Sequence, residues 1–303
     1  MRIHHLNCIS TCPLGGKLMD GRASGSVRAK LACHCLLIEL PDQLVMVDTG
    51  LGLLDVANPK SRLSRTFLAL LEPDLRAEMT AVRQVVRLGF QARDVRHVVL
   101  THLDFDHAGG LDDFPGATVH LLADERDSAT ARKTMLDRMR YRPQQWSTRE
   151  HWKVYRRGEG EAWFGFDAVR GLEGLPPEIL MVPLLGHTLG HAGVAVHRGA
   201  EWLLQAGDAY FFHRELDADR RRCPPGLRLY QWMMEKDRRA RLWNLSRLRE
   251  LQRSHGDTDL TIFCAHDPHE FERLAGRSID TPAEPLTVIR PAEFEPSSPS
   301  SQP

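Results

Sequence analysis

Thr101-His102-Leu103-Asp104-Phe105-Asp106-His107-Ala108-Gly109-Gly110 sets two imidazoles and two carboxylates within six residues and follows them with two glycines. Zinc, iron and manganese all take imidazole and carboxylate donors. The block therefore reads as part of a metal site in a hydrolytic or redox enzyme, and further ligands must come from elsewhere in the chain. Three places can supply them: His187 in Gly186-His187-Thr188-Leu189-Gly190-His191, Asp208 in Ala206-Gly207-Asp208, and His266 in Ala265-His266-Asp267-Pro268. Each of these, like His102, closes an apolar run with strand character: Val95–Thr101, Ile179–Leu185, Trp202–Gln205 and Leu260–Cys264. Strands that end on one edge of a sheet bring their loops to one place. A single histidine after a strand is ordinarily a surface or core residue. Four such ends in series, one of them carrying the dense block, point to one site.

The elements that must position these residues are visible as apolar periodicity. Leu31–Leu40 and Gln43–Val47 read as strands joined by a turn at Pro41-Asp42, and the second ends at Asp48-Thr49-Gly50. Residues 60–90 carry Phe67, Leu68, Leu70, Leu71, Val82, Val85, Val86 and Leu88 at helical spacing, with Gly89 as the stop. Thr118–Leu122 is a strand, and Val194–His197 with Trp202–Gln205 form a hairpin around Arg198-Gly199-Ala200. Leu242, Leu245, Leu248 and Leu251 lie on one side of a helix over Lys236–Ser254. Residues 123–165 are polar, rich in Arg, Trp and Tyr, and read as a helical and loop insertion. In it Trp146, Trp152, Trp163 and Phe164 are packing anchors or pocket walls. One domain is expected over 1–276. A Pro- and Ser-rich tail over 277–303 follows, disordered at Pro296–Pro303.

Bulk composition excludes several classes. Lys plus Arg equals Asp plus Glu, at 40 each, which argues against a nucleic-acid or anionic-membrane binder. No apolar run approaches the roughly 20 residues that span a bilayer, and the first residues lack a signal-peptide core, so a cytoplasmic protein is expected. Its six cysteines (Cys8, Cys12, Cys33, Cys35, Cys223, Cys264) are then reduced thiols, and their spacing matches no common zinc finger. G-x-S-x-G, P-loop and dinucleotide fingerprints are all missing.

Asp48 of Val47-Asp48-Thr49-Gly50, then His102, Asp106 and His107, then His187, Asp208 and His266 resemble, in order, the signature of the metallo-β-lactamase superfamily over roughly residues 30–270. The resemblance implies an α/β (α+β) fold, the four-layer αββα metallo-β-lactamase sandwich. Gly109-Gly110-Leu111 and Ala265-His266-Asp267-Pro268 are most similar to the lactonase and organophosphate-hydrolase branch. By position, the resemblance assigns His102, Asp104 and His187 to a first metal and Asp106, His107 and His266 to a second. Asp208 would bridge the two. It implies two divalent ions, zinc first with iron or manganese as alternatives, and a metal-bound hydroxide that attacks a small ester- or lactone-type substrate while Asp106 manages the proton. The partner is then a small-molecule substrate, and a homodimer is a common assembly for such folds.

One position departs from the pattern. The family's second histidine is Asp104 here, giving H-x-D-x-D-H. A third carboxylate would neutralise the centre, weaken it as a Lewis acid and favour harder ions. The same place carries a carboxylate in the superfamily's flavin-linked diiron proteins, which makes an iron oxidoreductase the alternative; a non-catalytic ligand-binding scaffold is the third reading. Asp48 and Thr101 are expected to hold the metal loop by hydrogen bonds, and His191 to do likewise. Lactonases of this kind place a carbonyl-polarising tyrosine three residues beyond the bridging Asp. Phe211 stands there in this chain, and Tyr210, one residue earlier, is the substitute candidate, with His213 a rival polar group.

Overall fold

In Leu44–Val47 every residue is apolar, because each side of the strand meets a different core. Val45 and Val47 face one cluster, Leu44 and Met46 another. The same two-residue alternation divides Leu36 and Ile38 from Cys35 and Leu37, and Ile179 and Met181 from Leu180 and Val182. Strands buried on both sides require layers above and below, and the computed structural model has them. It describes residues 1–284 apart from 24, 147–150, 159, 168–170, 218–219 and 257.

The first sheet runs, in spatial order, β1 (Arg2–Asn7), β2 (His34–Glu39), β3 (Leu44–Val47), β4 (Val95–Val99), β5 (Thr118–Leu122) and β6 (Trp152–Tyr155). β1 to β3 pair antiparallel, and β3 to β6 parallel. A short hairpin of β7 (Ala162–Trp163) and β8 (Phe166–Asp167) precedes the second sheet. That sheet holds β9 (Ile179–Pro183), β10 (Ala192–Arg198), β11 (Glu201–Gln205) and β12 (Leu260–Phe263), in the order β12-β11-β10-β9. Leu36, Val47 and Val99 of the first sheet meet Met181, Val194, Leu203 and Phe263 of the second in the inner core. Helix Ala81–Arg87 covers the outer side of the first sheet through Val82 and Val85, and helix Arg238–His255 that of the second through Leu245, Leu248 and Leu251. This is the αββα sandwich. Truncating one of these buried leucines to alanine would cost about 2–5 kcal/mol.

Three expectations need correction. The helix read over 60–90 is broken into Pro59–Arg62, Arg65–Leu71 and Ala81–Arg87. Pro73 disfavours helical backbone in the residue before it, and Glu72 turns left-handed at φ 38°. Within the insertion, helices Ala123–Ala131 and Met135–Arg140 are present, but Trp152–Tyr155 joins the first sheet as β6. Trp146 and Trp152 pack on the outer core and Trp163 is buried against Phe164 and Trp202, so these aromatics are packing anchors. The expected tail does not begin at 277. Arg277 donates to the His5 carbonyl, Asn7 Nδ2 donates to Ile279 O at 2.6 Å, and Ala283 N donates to Gln84 Oε1 at 2.9 Å. Residues 285–303, with Pro296–Pro303, lie outside the described residues. Among the described residues no helix is long and apolar enough to cross a membrane.

Candidate metal centre

β3, β4, β9, β11 and β12 all end on one rim, and their following loops carry Asp48, the 101–108 block, His187, Asp208 and His266. The block is extended as far as Asp104 and then closes into one helical turn, Phe105–Ala108, with the N–H groups of His107 and Ala108 donating to Asp104 O. The turn sets Asp106 and His107 side by side; a fully extended block would not. All seven expected ligands are at most 7 % exposed, and Asp106 is the most open.

Asp208 is the centre of the arrangement. Its Oδ1 lies 3.4 Å from His107 Nε2 and 3.2 Å from His266 Nε2, while its Oδ2 lies 3.3 Å from His187 Nε2 and 3.8 Å from His102 Nε2. Asp106 Oδ2 is 3.8 Å from His266 Nε2, and Asp104 Oδ2 is 3.4 Å from His102 Nε2 and 3.1 Å from His187 Nε2. A tetrahedral zinc with bonds of about 2.0–2.2 Å has ligand–ligand edges of about 3.3–3.6 Å, and the spacings here, from 3.1 to 3.8 Å, straddle that range. Around Asp208 the residues that can hold a metal fall into overlapping groups: His102, Asp104 and His187; His102, His107 and Asp208; and Asp106, His107 and His266; a separate, partly exposed group is His213, Asp267 and His269.

Hydrogen bonds behind the histidines fix which nitrogen faces inward. Asp48 Oδ2 accepts from His107 Nδ1 at 2.8 Å and from Thr101 Oγ1 at 2.8 Å, and Asp48 Oδ1 accepts from Thr101 N at 2.8 Å. With the Thr101 hydroxyl proton used on Asp48, Oγ1 accepts from His102 Nδ1 at 2.9 Å. His266 Nδ1 donates to Ala32 O at 2.7 Å. In their neutral form these three histidines carry the proton on Nδ1 and turn Nε2 to the centre, the tautomer a metal needs. His102 Nε2, His107 Nε2 and Asp208 Oδ1 are buried with no hydrogen-bond partner, a costly state that a cation would relieve. Asp48 itself adopts φ 55°, which Asp tolerates better than most residues.

Other residues act through these. His191 donates from Nδ1 to Leu184 O at 2.8 Å, and its Nε2 accepts the Asp208 N–H at 2.8 Å, so it positions Asp208 and has no lone pair left for a metal. Gly207 makes that contact possible. At φ 53°, a Cβ there would sit 2.5 Å from His191 Nε2. Glu125, in the insertion, joins two of the loops by accepting from Leu103 N at 2.9 Å, Thr188 Oγ1 at 2.5 Å and Gly190 N at 3.1 Å. Nothing in its spacing announced that role.

Tyr210 is not brought to the site. Its hydroxyl donates to Glu270 Oε1 at 2.9 Å inside the second outer core. The neighbouring Phe211 turns inward instead and stacks on His266, with ring centres 5.0 Å apart and planes at 19°. His213 is engaged with Asp267, its Nδ1 2.8 Å from Oδ2. A second phenol, Tyr230, packs near Phe211, with ring centres 6.0 Å apart. Burial and the charges of Asp106, Asp208 and Asp104 hold it well above the usual tyrosine pKa, so it is a donor at neutral pH.

The sequence also gave no sign of Arg140. Helix Met135–Arg140 starts on a Thr134–Asp137 capping box, and the next residue, Tyr141, forms a backbone bridge with Asp104. Arg140 is thereby delivered, fully buried, onto the Asp104 carboxylate, with Nε to Oδ1 and Nη2 to Oδ2 both at 2.6 Å. Burial alone would raise the Asp104 pKa; Arg140 and His102 outweigh it and hold the carboxyl well below its usual range. The expected neutralisation of the centre by Asp104 is therefore cancelled by Arg140. Burial lowers the His102 and His187 pKa values. Burial also opposes protonation of His107 and His266, but Asp208, joined at His107 by Asp48 and at His266 by Asp106, reverses it and holds both above the usual imidazole.

The sequence model described as the metallo-beta-lactamase superfamily matches residues 28–266. Proteins of Mycobacterium tuberculosis and Mycobacterium bovis, each named a probable metallo-hydrolase, are 39% identical over 273 residues, covering 90% of this chain and 82% of theirs. An N-acyl homoserine lactonase of Bacillus thuringiensis is 26% identical over 123 residues, 40% of this chain and 49% of its own. An N-acyl homoserine lactone hydrolase structure with N-hexanoyl-L-homoserine at its catalytic metal centre superposes with a TM-score of 0.66 at 18% identity, covering 89% of this chain and 95% of that one. At that identity the likeness concerns the fold.

Proposed function

Since this chain belongs to the metallo-β-lactamase superfamily and relatives 39% identical to it are named probable metallo-hydrolases, we propose that it cleaves a small ester- or lactone-type substrate at the cluster around Asp208. The observation that carries this reading is the set of inward Nε2 atoms of His102, His107 and His266 around the Asp208 carboxylate, with His102 Nε2, His107 Nε2 and Asp208 Oδ1 buried and without a hydrogen-bond partner. The group Asp106, His107 and His266, with Asp208 Oδ1 3.4 Å from His107 Nε2 and 3.2 Å from His266 Nε2, fits a divalent ion, and two imidazoles with two carboxylates are donors zinc accepts. Such an ion supplies Lewis acidity and activates water at neutral pH.

The chain's own residues do the rest. Asp48 and the Ala32 carbonyl orient the donor histidines, and His191 fixes Asp208 through its backbone N–H. Asp106, raised in pKa by burial, is the carboxylate nearest solvent and the one placed to take up and release a proton. Phe211 covers His266 and keeps water from that side. Tyr230, packed near Phe211, which stacks on His266, is the phenol we assign to donate to the oxygen of a bound carbonyl. Lactones come first as substrates because the partial sequence matches include N-acyl homoserine lactonases. The iron reading rested on Asp104 as an added hard ligand, and both oxygens of Asp104 are taken up by Arg140.

A panel of lactones, carboxylic esters, thioesters and phosphoesters, followed by pH-stat on protein of measured metal content, tests the reading. Lactone or ester turnover that disappears with chelator and in His107→Ala is expected. Turnover indifferent to both, or none from metal-loaded protein, would overturn it.

A further inference from the structure

The two halves of the centre are built differently. A guanidinium has five N–H donors and cannot lose its charge. In Arg140 every one of the five has an acceptor. Nε donates to Asp104 Oδ1 at 2.6 Å. Nη2 donates to Asp104 Oδ2 at 2.6 Å and to His187 Nε2 at 2.7 Å. Nη1 donates to Met234 O at 2.8 Å and to His187 O at 3.3 Å. The side chain has no exposure to solvent, so no water competes for these bonds.

The consequence falls on His187. An imidazole nitrogen has one in-plane lone pair, and Nε2 spends it on Arg140. The group His102, Asp104 and His187 thus has the residue types and spacings of a metal site, yet one ligand nitrogen is committed to a cation and both oxygens of another ligand are bound to the same cation. On the other side of Asp208 there is no such competitor among the described residues. His107 Nε2 and Asp208 Oδ1 have no hydrogen-bond partner, and His266 Nε2 faces the same oxygen at 3.2 Å.

We propose that this chain holds one divalent ion, in the group Asp106, His107, His266 and Asp208, and that the Arg140 guanidinium stands in for the first ion of a two-ion centre. The fixed charge then does for the Asp104 and His187 side what an ion would do. It binds the carboxylate, orients the imidazole and presents positive charge to whatever occupies the space beside Asp208 Oδ2. Asp104 and Arg140 act as one unit. The histidine that the superfamily pattern places at 104 would leave a guanidinium there unpaired, and an aspartate gives it a bidentate partner. This inference rests on the metal-dependent reading above and not on its substrate.

The test is the metal count. Metal-free full-length protein is loaded with zinc, desalted and analysed by elemental mass spectrometry, and the cobalt form is examined by electron paramagnetic resonance. Wild type is expected to retain one equivalent, with an uncoupled high-spin cobalt signal. Arg140→Met frees the His187 lone pair and is expected to retain two, with the cobalt signal diminished by coupling through Asp208. Should Arg140→Met not fold, as circular dichroism would show, Asp104→His/Arg140→Met leaves no unpaired charge and carries the same expectation. Two equivalents in wild type, or one in the folded variant, would overturn the proposal. No tight equivalent in wild type would overturn both this proposal and the hydrolase reading. One equivalent in wild type and two in the variant, without turnover of any panel substrate, would sink the substrate reading alone.

Discussion

Asp48 is the residue through which the fold sets the chemistry of the second metal group, and Asp48→Asn isolates that role. The carboxylate accepts Thr101 N on Oδ1, and on Oδ2 it accepts Thr101 Oγ1, His107 Nδ1 and, at 3.4 Å, Gln205 Nε2. An amide cannot satisfy all of these. If its NH2 takes the Oδ1 place, it meets the Thr101 N–H, and one buried backbone donor is stranded at a cost of about 1–3 kcal/mol. If its NH2 takes the Oδ2 place, it faces His107 Nδ1, which must become the acceptor. The proton then moves to Nε2 and removes the lone pair a metal needs. The first outcome appears as lower stability with metal affinity reduced by the loss of the anionic partner, about 10- to 100-fold. The second appears as a near-complete loss of metal binding. Competition titration with a chromophoric chelator gives the affinity, and urea unfolding of the metal-free protein gives the stability. An Asp48→Asn protein that binds zinc as wild type does, with an unchanged urea midpoint, would refute the argument that Asp48 sets the His107 tautomer.

Metal affinity should rise with pH, because His107 and His266 are held above the usual imidazole pKa and must shed protons to bind; the slope is at most about two decades per pH unit, measured by chelator competition at pH 6, 7 and 8. Glu270 is pushed up to about 8 by burial and by Asp267, from an ordinary value of 4.5, so its contribution to stability is complete below 4.5 and is lost as pH rises through 8. Glu270→Gln should therefore match wild type at pH 5 and exceed it at pH 8.5 by up to on the order of 4 kcal/mol; parallel urea midpoints at the two pH values would count against this. Tyr210→Phe removes one buried hydrogen bond and should cost about 1 kcal/mol of stability while sparing turnover, whereas Tyr230→Phe should lower kcat about 100-fold with little change in stability. The reverse pattern in kinetics and melting would return the donor role to Tyr210.

Much of this architecture is written in local pattern. β4, β9, β11 and β12 carry apolar residues on both faces, and that pattern with the His or Asp after each strand's end is enough to find four of the loops that meet at the rim; Asp48, after β3, joins them through the superfamily signature. β6 was not legible because Trp-Lys-Val-Tyr is a short edge strand inside a polar stretch, recruited by pairing with β5 and not by its own propensity. Helix Pro225–Met234 was hidden behind its Pro224-Pro225-Gly226 start, although Pro at the first turn of a helix is favourable. Tyr210 illustrates a different failure. Two residues along the chain from Asp208 is near in sequence, but the turn after β11 sends Phe211 onto His266 and Tyr210 into the core, while Tyr230 arrives beside Phe211 from that same hidden helix.

Arg140 shows why a ligand motif cannot be read one position at a time. Asp104 alone argues for a third carboxylate at the metals, a more neutral centre and a harder ion. Asp104 with a guanidinium bound to both its oxygens argues the reverse, and the partner lies 36 residues away with no spacing rule to connect them. The pair can be weighed directly by a double-mutant cycle. Asp104→Asn leaves a buried guanidinium without its counter-charge, and Arg140→Gln leaves a buried carboxylate without its own; each should destabilise by about 3–5 kcal/mol. Asp104→Asn combined with Arg140→Gln removes both charges and keeps two amides able to hydrogen-bond, so its loss should fall well short of the sum, with a coupling above about 2 kcal/mol. Urea unfolding of the metal-free proteins at pH 7 measures all four corners. Additive losses would mean that the two side chains are neighbours without being a unit, and Asp104 would then return to the metal as an independent ligand.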